Sequence, residues 1–454
     1  MENDHLLKRY VSFWISKSPL RSILFIVFAV GVIGGLAYGV HRVNVDSITD
    51  FSINLLASLF GFGFGFLLYK HMAYSLSRHE DEQKVCYDDQ FIKEFYGSKY
   101  YHVFDLPKLN SNGWPGGNKF RVYADKLFVF NKSMVVTVND HAGYKSQFQL
   151  DSFINDHYMD ILEAHGKSVF KNDLTVRLND VHVNGQELTL WTTRSTYVNN
   201  LLTNRAIDYK INGRVSLREL FENRTTLTPL RDSKMSNHIG VNVLVFLEKG
   251  KYILFPERDK TGTIAKGCIT ASWATRFTME DYAKTISPDY VIRGVITQNL
   301  KDMAEALMIE EEDLGDVVPV FLGATRDIYE GGKPTFFYLV DLSLSLEDYL
   351  KFTKSYQKIH GKDSKEKNVD APARIYAAEW ESLHMNAERK GPEVKTVIKR
   401  NERITFNALN CSKKVQWKKV EQSCEKNLIA GFYILGEYEA SKNKKFSSKK
   451  RPNK

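Results

Sequence analysis

Two uncharged apolar runs near the start of the chain constrain everything that follows. Ile23–Val40 (ILFIVFAVGVIGGLAYGV) holds 18 residues without a charge, and Phe51–Tyr69 (FSINLLASLFGFGFGFLLY) repeats the pattern. As a helix rising about 1.5 Å per residue, the first reaches about 27 Å, enough for the hydrocarbon core of a bilayer. The ten residues between them, His41–Asp50, include Asp46 and Asp50 and suit a short polar turn outside the membrane. A cleaved signal peptide has a shorter apolar stretch and no second span directly behind it. The sequence therefore predicts a two-span α-helical membrane hairpin.

Flanking charge sets its direction. Lys8, Arg9, Lys17 and Arg21 precede the first run, Lys70, Arg78 and Lys84 follow the second, and Arg42 alone lies between. The positive-inside rule then places both ends in the cytoplasm. The expected order is a cytoplasmic segment (1–22), spans at 23–40 and 51–69 around an outside loop (41–50), and a polar, helix-compatible connector at 70–84. Gly31, Gly35 and Gly39 recur at every fourth residue, as do Ala57, Gly61 and Gly65. Such rows let helices approach closely in lipid, within one hairpin or between protomers. Neither run contains an ionisable residue, which excludes a proton relay, a voltage sensor or a charged transport site. Asn54 is the single amide there. Conduction through these helices would require assembly.

Charge elsewhere is local. The formal net charge is +9, yet Ser441–Lys454 contributes seven Lys or Arg and no acid, leaving +2 for the rest of the chain. A near-neutral body argues against a broad face for a nucleic acid polymer. The tail, 441–454, reads as basic and disordered, with anionic lipid as its natural neighbour. Cys86, Cys268, Cys411 and Cys424 lie far apart with no CxxC pair, against a disulfide framework or a cysteine-rich zinc site. The histidines show no HxH or HExxH spacing, no nucleophile-elbow sequence is present, and no metal or cofactor is assigned.

The cytosolic part mixes strands and short helices. Lys119–Val138 has β-branched and aromatic residues at strand spacing, and Asn112–Asn118 (NGWPGGN) reads as a loop. Leu174–Leu190 predicts two strands around Asn184-Gly185, and Tyr197–Ala206 a helix. Gly240–Leu247 and Lys251–Phe255 predict a hairpin turning at Lys249-Gly250. Gln298–Ile309 places Leu300, Met303, Ala304 and Leu307 on one face of an amphipathic helix. Val317–Leu322 and Phe336–Leu342 predict further strands about the turn-rich Tyr329–Pro334. His360–Ala373 reads as a surface loop. This order indicates an α/β or α+β layered domain, with an N-terminal part at 85–235 and a second part at 236–440.

Within the second part the pieces follow a recognisable sequence. Ser236-Asn237-His238-Ile239-Gly240-Val241 opens it. Then come Glu257-Arg258-Asp259, Ala271-Ser272-Trp273, the helix at 298–309, Leu322-Gly323-Ala324-Thr325-Arg326, and Gly331-Gly332-Lys333-Pro334 before an aromatic strand. In order and spacing this resembles the Nudix superfamily over residues 190–345, extending toward 440. The resemblance implies a mixed sheet between helices and a nucleotide pocket.

The family's active-site motif, Arg-Glu-x-x-Glu-Glu-x-Gly, is eroded here. Its glutamates hold magnesium, which requires several carboxylates on one helical face. In the overlay Lys301 stands at the arginine, Asp302 at the first glutamate and Glu305 at the second. Ala306 replaces the final glutamate, Met308 replaces the glycine, and Arg293 falls near the upstream acid. One family glutamate remains. The neighbouring Glu310–Asp313 point in different directions from a helix end and read as an exposed acidic turn. No catalytic residue is assigned, and the resemblance implies a pocket that binds without cleaving. Arg258, Lys301 and Arg326 are candidate phosphate ligands, with surface charge as the alternative. Trp273 offers a stacking face and Ser272 a hydroxyl, with core packing as the alternative.

Two spans fused to such a domain resemble the membrane effectors of bacterial cyclic-oligonucleotide antiphage signalling (CBASS). That resemblance implies a homo-oligomer at the bacterial inner membrane that senses a cyclic di- or trinucleotide and breaches the bilayer. The alternative is a tethered Nudix hydrolase acting on a nucleoside-diphosphate-type substrate. A scaffold merely anchored by its spans is a third reading.

Overall fold

A computed structural model describes residues 84–105, 119–143, 145, 147–165, 172–258, 268–360, 372–380, 394–399 and 425–448. Among these residues no helix is long and apolar enough to cross a membrane. The expected spans, with Gly31, Gly35, Gly39, Ala57, Gly61 and Gly65, lie outside the described residues, as do the connector to Gln83 and the loop at 112–118. Gln83–Lys454 forms one compact unit.

Its strands are β1 (Tyr101–Asp105), β2 (Lys119–Tyr123), β3 (Asp125–Val129), β4 (Val135–Asp140), β5 (Leu174–Asn184), β6 (Glu187–Thr196), β7 (Gly240–Leu247), β8 (Tyr252–Arg258), β9 (Trp273–Arg276), β10 (Val320–Asp327), β11 (Lys333–Leu342), β12 (Pro372–Glu379) and β13 (Val394–Lys399). The helices that position the site are α1 (Asp89–Tyr96), α2 (Tyr197–Leu202), α3 (Leu217–Phe221), α4 (Leu300–Leu307), α5 (Leu346–His360) and α6 (Lys426–Ser448). The result is a mixed α/β domain built on mixed sheets.

The main sheet runs β13-β12-β8-β7-β11-β10-β3, with β9 as an additional partner of β7. β7 and β11 pair in parallel and the other neighbours run antiparallel. Apolar side chains on both faces explain why β7 is central. Val241, Val243, Val245 and Leu247 face one core, with Met303, Ala304 and Leu307 of α4. Leu244 and Phe246 face the opposite core, with Leu428, Phe432 and Leu435 of α6. A strand buried on both sides reads as a continuous apolar run, as GVNVLVFL does. β3 joins this sheet through β10, so a boundary drawn at residue 235 is crossed by strand pairing.

Local sequence explains the turns. β5 and β6 meet at Gly185, and β7 and β8 at Glu248, Lys249 and Gly250, all with positive φ. Helix α4 stops at Met308, whose left-handed backbone (φ 60°, ψ 43°) caps its last carbonyls. The family overlay assigns a glycine to that position, and left-handed caps favour glycine. Helix α6 continues through Ser441–Ser448, which charge alone assigned to a disordered tail. Its apolar face from Leu428 to Tyr438 is buried against the sheet, and lysines suit a helix C-terminus because they oppose the negative end of its dipole. His360 ends α5 and β12 begins at Pro372, so both ends of the expected loop at 360–373 belong to regular elements, and its remainder lies outside the described residues.

Candidate functional site

β7 changes partner along its length. Phe246 and Leu247 pair with Ile253 and Tyr252 of β8, whereas Gly240–Val243 pair with Arg276–Trp273 of β9. The two partners diverge, and the fork between them opens into a cavity of about 430 Å³. Its walls come from β7 (Gly240, Asn242), β8 (Pro256, Arg258), β9 and the residues before it (Thr270–Arg276), and α4 (Asp302, Glu305, Ala306). The start of β11 (Lys333, Thr335), α2 with its extension (Tyr197, Asn200, Arg205), Glu330, His238, and Glu425 and Asn427 at the head of α6 complete it.

Ser272 occupies the crotch of the fork. Its hydroxyl accepts from the Val245 N–H (2.8 Å) and donates to the Leu254 carbonyl (2.6 Å), satisfying backbone groups where β8 leaves β7. Trp273 lines the cavity and is 5% exposed, most of its ring being part of the core.

Four cationic and four acidic side chains line the space, so its formal charge is balanced. Glu330, 2% exposed, is shared by Lys333 (2.8 Å), Arg205 and the Tyr87 hydroxyl (3.2 Å). Burial raises its carboxyl, but Arg205 and Lys333 outweigh burial and hold it down at about 2. Arg276 pairs with Asp173, and its guanidinium lies 4.7 Å from the centre of the Tyr197 ring. The Tyr197 ring also lies nearly parallel to His238, with ring centroids 6.3 Å apart and planes at 16°. Burial, reinforced by Lys333 and Arg276, drives the His238 pKa well down, so the ring is neutral. Among the described residues the Arg258 guanidinium makes no hydrogen bond or ion pair, which leaves its fork of donors for a ligand. Asn200 and His238 are 1% and 3% exposed, and Asn200 Oδ1 and His238 Nδ1 have no partner among the described residues. Groups of this kind normally find one, in water or a ligand.

Of the residues singled out in the sequence, the fold brings Arg258, Ser272, Trp273, Asp302 and Glu305 to this cavity. Lys301 is exposed on α4 outside the lining. Arg326 is buried away from it. Its guanidinium donates to the carbonyls of Gly332 (3.0 Å) and Thr228 (2.7 Å) and faces Asp125 at 3.8 Å. A Cβ on Gly332 would collide with that guanidinium, so the Gly331-Gly332 turn and Arg326 form one structural unit. Ala306, where the Nudix overlay expects a glutamate, lines the wall. Among the described residues no three His, Cys, Asp or Glu side chains gather so as to hold a metal ion.

Sequence reading missed Tyr197, Asn200, Arg205, Asn242, Arg276 and Glu425. None belongs to the quoted motifs, and pairings distant in sequence bring them together. His238 and Lys333 belong to the ordered motifs of the second part and Glu330 precedes one, but they stand there only as strand-start and turn residues. No family model matches the chain, and no curated protein is detectably similar to it.

Proposed function

We propose that the chain is a membrane-anchored nucleotide sensor whose Nudix-like domain binds a cyclic di- or trinucleotide. Binding favours an oligomer whose gathered helical hairpins disrupt the bacterial inner membrane, as antiphage effectors do. The observation that carries this reading is the fork cavity. It joins an uncommitted arginine, Arg258, to an Arg276–Tyr197–His238 stack and to neutral polar groups on Asn200 and Asn242. Arginine suits phosphate, and an aromatic wall with amide edges suits a nucleobase. At about 430 Å³ the space lies within the usual range of ligand pockets. Met308 in a glycine-like conformation, directly after α4, supports the Nudix overlay. Ligand binding shifts an assembly equilibrium only by its differential affinity for the two states, so the oligomer must bind more tightly.

A thermal-shift titration of the full chain in detergent tests this with cyclic di-AMP, cyclic di-GMP, cyclic GMP–AMP and cyclic tri-AMP. A ligand at about 100 times its Kd adds about 2.7 kcal/mol. The expected result is a rise in Tm with one cyclic compound. A response confined to linear diphosphates with Mg²⁺ overturns it.

One observation favours the alternative of a tethered hydrolase: Asp302, Glu305, Glu330 and Glu425 all line the cavity. That reading requires Mg²⁺-dependent turnover of a nucleoside diphosphate derivative, lost in Glu305→Gln. Glu330 weighs against it, being committed to Arg205 and Lys333.

A further inference from the structure

The first described residues after the connector are fastened at two points, one on the cavity wall and one beside it. The Tyr87 hydroxyl donates to Glu330 Oε1 (3.2 Å) and accepts from Arg205 Nη1 (3.2 Å). Two residues on, Asp89 at the start of α1 accepts from Lys426 (2.7 Å) and from the Tyr329 hydroxyl (2.5 Å). Glu330 and Arg205 line the cavity, as do Glu425 and Asn427 on either side of Lys426. The segment leading out of the expected spans therefore shares hydrogen-bond partners with the ligand space.

We infer that cavity occupancy is relayed to residues 84–96 through Glu330: a ligand anion that draws Arg205 and Lys333 away releases Tyr87. This takes the sensor reading as its premise and names the route by which sensing reaches the membrane anchor. The physical basis is competition. Glu330 is buried and held ionised by two cations, so withdrawing either leaves a buried carboxylate short of partners. Taking up a proton makes it a poorer acceptor for Tyr87, shifting carries it out of reach, and withdrawal of Arg205 also removes the donor to the Tyr87 hydroxyl. The coupling is reciprocal, so a chain with Tyr87 already released binds ligand more tightly.

Hydrogen exchange of the full chain in phosphatidylethanolamine–phosphatidylglycerol vesicles tests the relay with and without ligand. Lys333→Met alters the cavity without touching 84–96. The expected result is about tenfold faster exchange of the 84–96 amides, since a lost charge-assisted hydrogen bond lowers the local opening energy. β10 and β11 should stay protected, and Lys333→Arg should restore the wild-type rate. Unchanged or slower exchange at 84–96 in Lys333→Met overturns the relay, whatever the ligand data. In the second arm, any of the four cyclic compounds that raises Tm should speed exchange at 84–96 in the wild type. The same compound should have little further effect in Tyr87→Phe. Binding without a change at 84–96 also overturns the relay. If none of the four binds, the sensor reading falls, and the Lys333→Met rates still decide whether cavity and segment are coupled.

Discussion

Replacing Ser272 with alanine separates two roles for its hydroxyl. The side chain is fully buried, and its oxygen joins the Val245 N–H to the Leu254 carbonyl where β8 parts from β7. Alanine removes both bonds at once and leaves a backbone donor and a backbone acceptor without partners in the interior. Orphaning one buried group costs about 1–3 kcal/mol, so about 2–4 kcal/mol is expected for the pair after some relaxation. Unfolding entropy is about 2.1 cal/mol/K per residue, which over Gln83–Lys454 converts each kcal/mol into about 1.3 °C. Ser272→Ala should therefore lower Tm by about 3–5 °C, read by tryptophan fluorescence of the full chain in detergent. Ser272→Thr keeps the hydroxyl and should recover part of the loss. A Tm within about 1 °C of wild type would refute the bridging role. If that variant also lost its response to cyclic nucleotide, the hydroxyl would belong to the ligand.

Arg258→Gln should abolish the nucleotide-induced rise in Tm while leaving the ligand-free Tm within about 1 °C, because no ion pair within the described residues is broken. Asp302→Asn should leave the nucleotide response in place; loss of a Mg²⁺-dependent diphosphatase activity in that variant would favour the hydrolase. Burial, with the neighbouring Glu330 charge, pushes Asp327 up to about 7, above the ordinary carboxyl value near 4. A raised acid binds more protons folded than unfolded, so its contribution makes stability fall as pH rises from about 4 through about 7. Asp327→Asn should flatten that slope and be more stable than wild type at pH 8, measured by urea unfolding. Replacing Gly31, Gly35 and Gly39 with leucine should abolish ligand-dependent dye release from vesicles without changing nucleotide affinity; unchanged release would count against helix assembly.

What the sequence disclosed was whatever short-range chemistry writes. The apolar run of β7, the hairpin turn at Lys249-Gly250 and the apolar face of α4 each depend on residues within or beside one element, and all three appear as expected. The fork was not legible, because the switch of β7 from β8 to β9 is set by pairings across an intervening loop. Ser272 illustrates the consequence: beside Trp273 it resembled a ligand hydroxyl, and only the diverging strands show that its bonds are already made. Arg326 failed for a related reason. An arginine closing a strand resembles a phosphate ligand until the carbonyls of Gly332 and Thr228 are found around it. Glu330 and Lys333 were hidden in a turn whose glycines and proline dominated the reading, yet they carry the densest charge network of the cavity.

The balance of charge in the cavity argues for recognition over catalysis. Four carboxylates would repel a phosphate if they acted together, and four cations would hold it without discrimination. Here Glu330 consumes much of Arg205 and Lys333, and Asp173 holds Arg276, so among the described residues Arg258 remains as the donor set without a partner. An arginine in that state, lining the same cavity as a tyrosine and a neutral histidine, suits the joint recognition of a phosphate and a ring, which is a demand of selectivity. Hydrolysis makes a different demand: carboxylates converging on one metal from the helix face. Ala306 stands at the wall on that helix face, between Asp302 and Glu305 on one side and the helix end on the other, and brings no oxygen to it. The carboxylate with the strongest electrostatic hold, Glu330, instead looks both ways, toward the cavity through Lys333 and toward the emerging chain through Tyr87. A group placed so lets a change in the cavity be felt at Tyr87 and the residues around it.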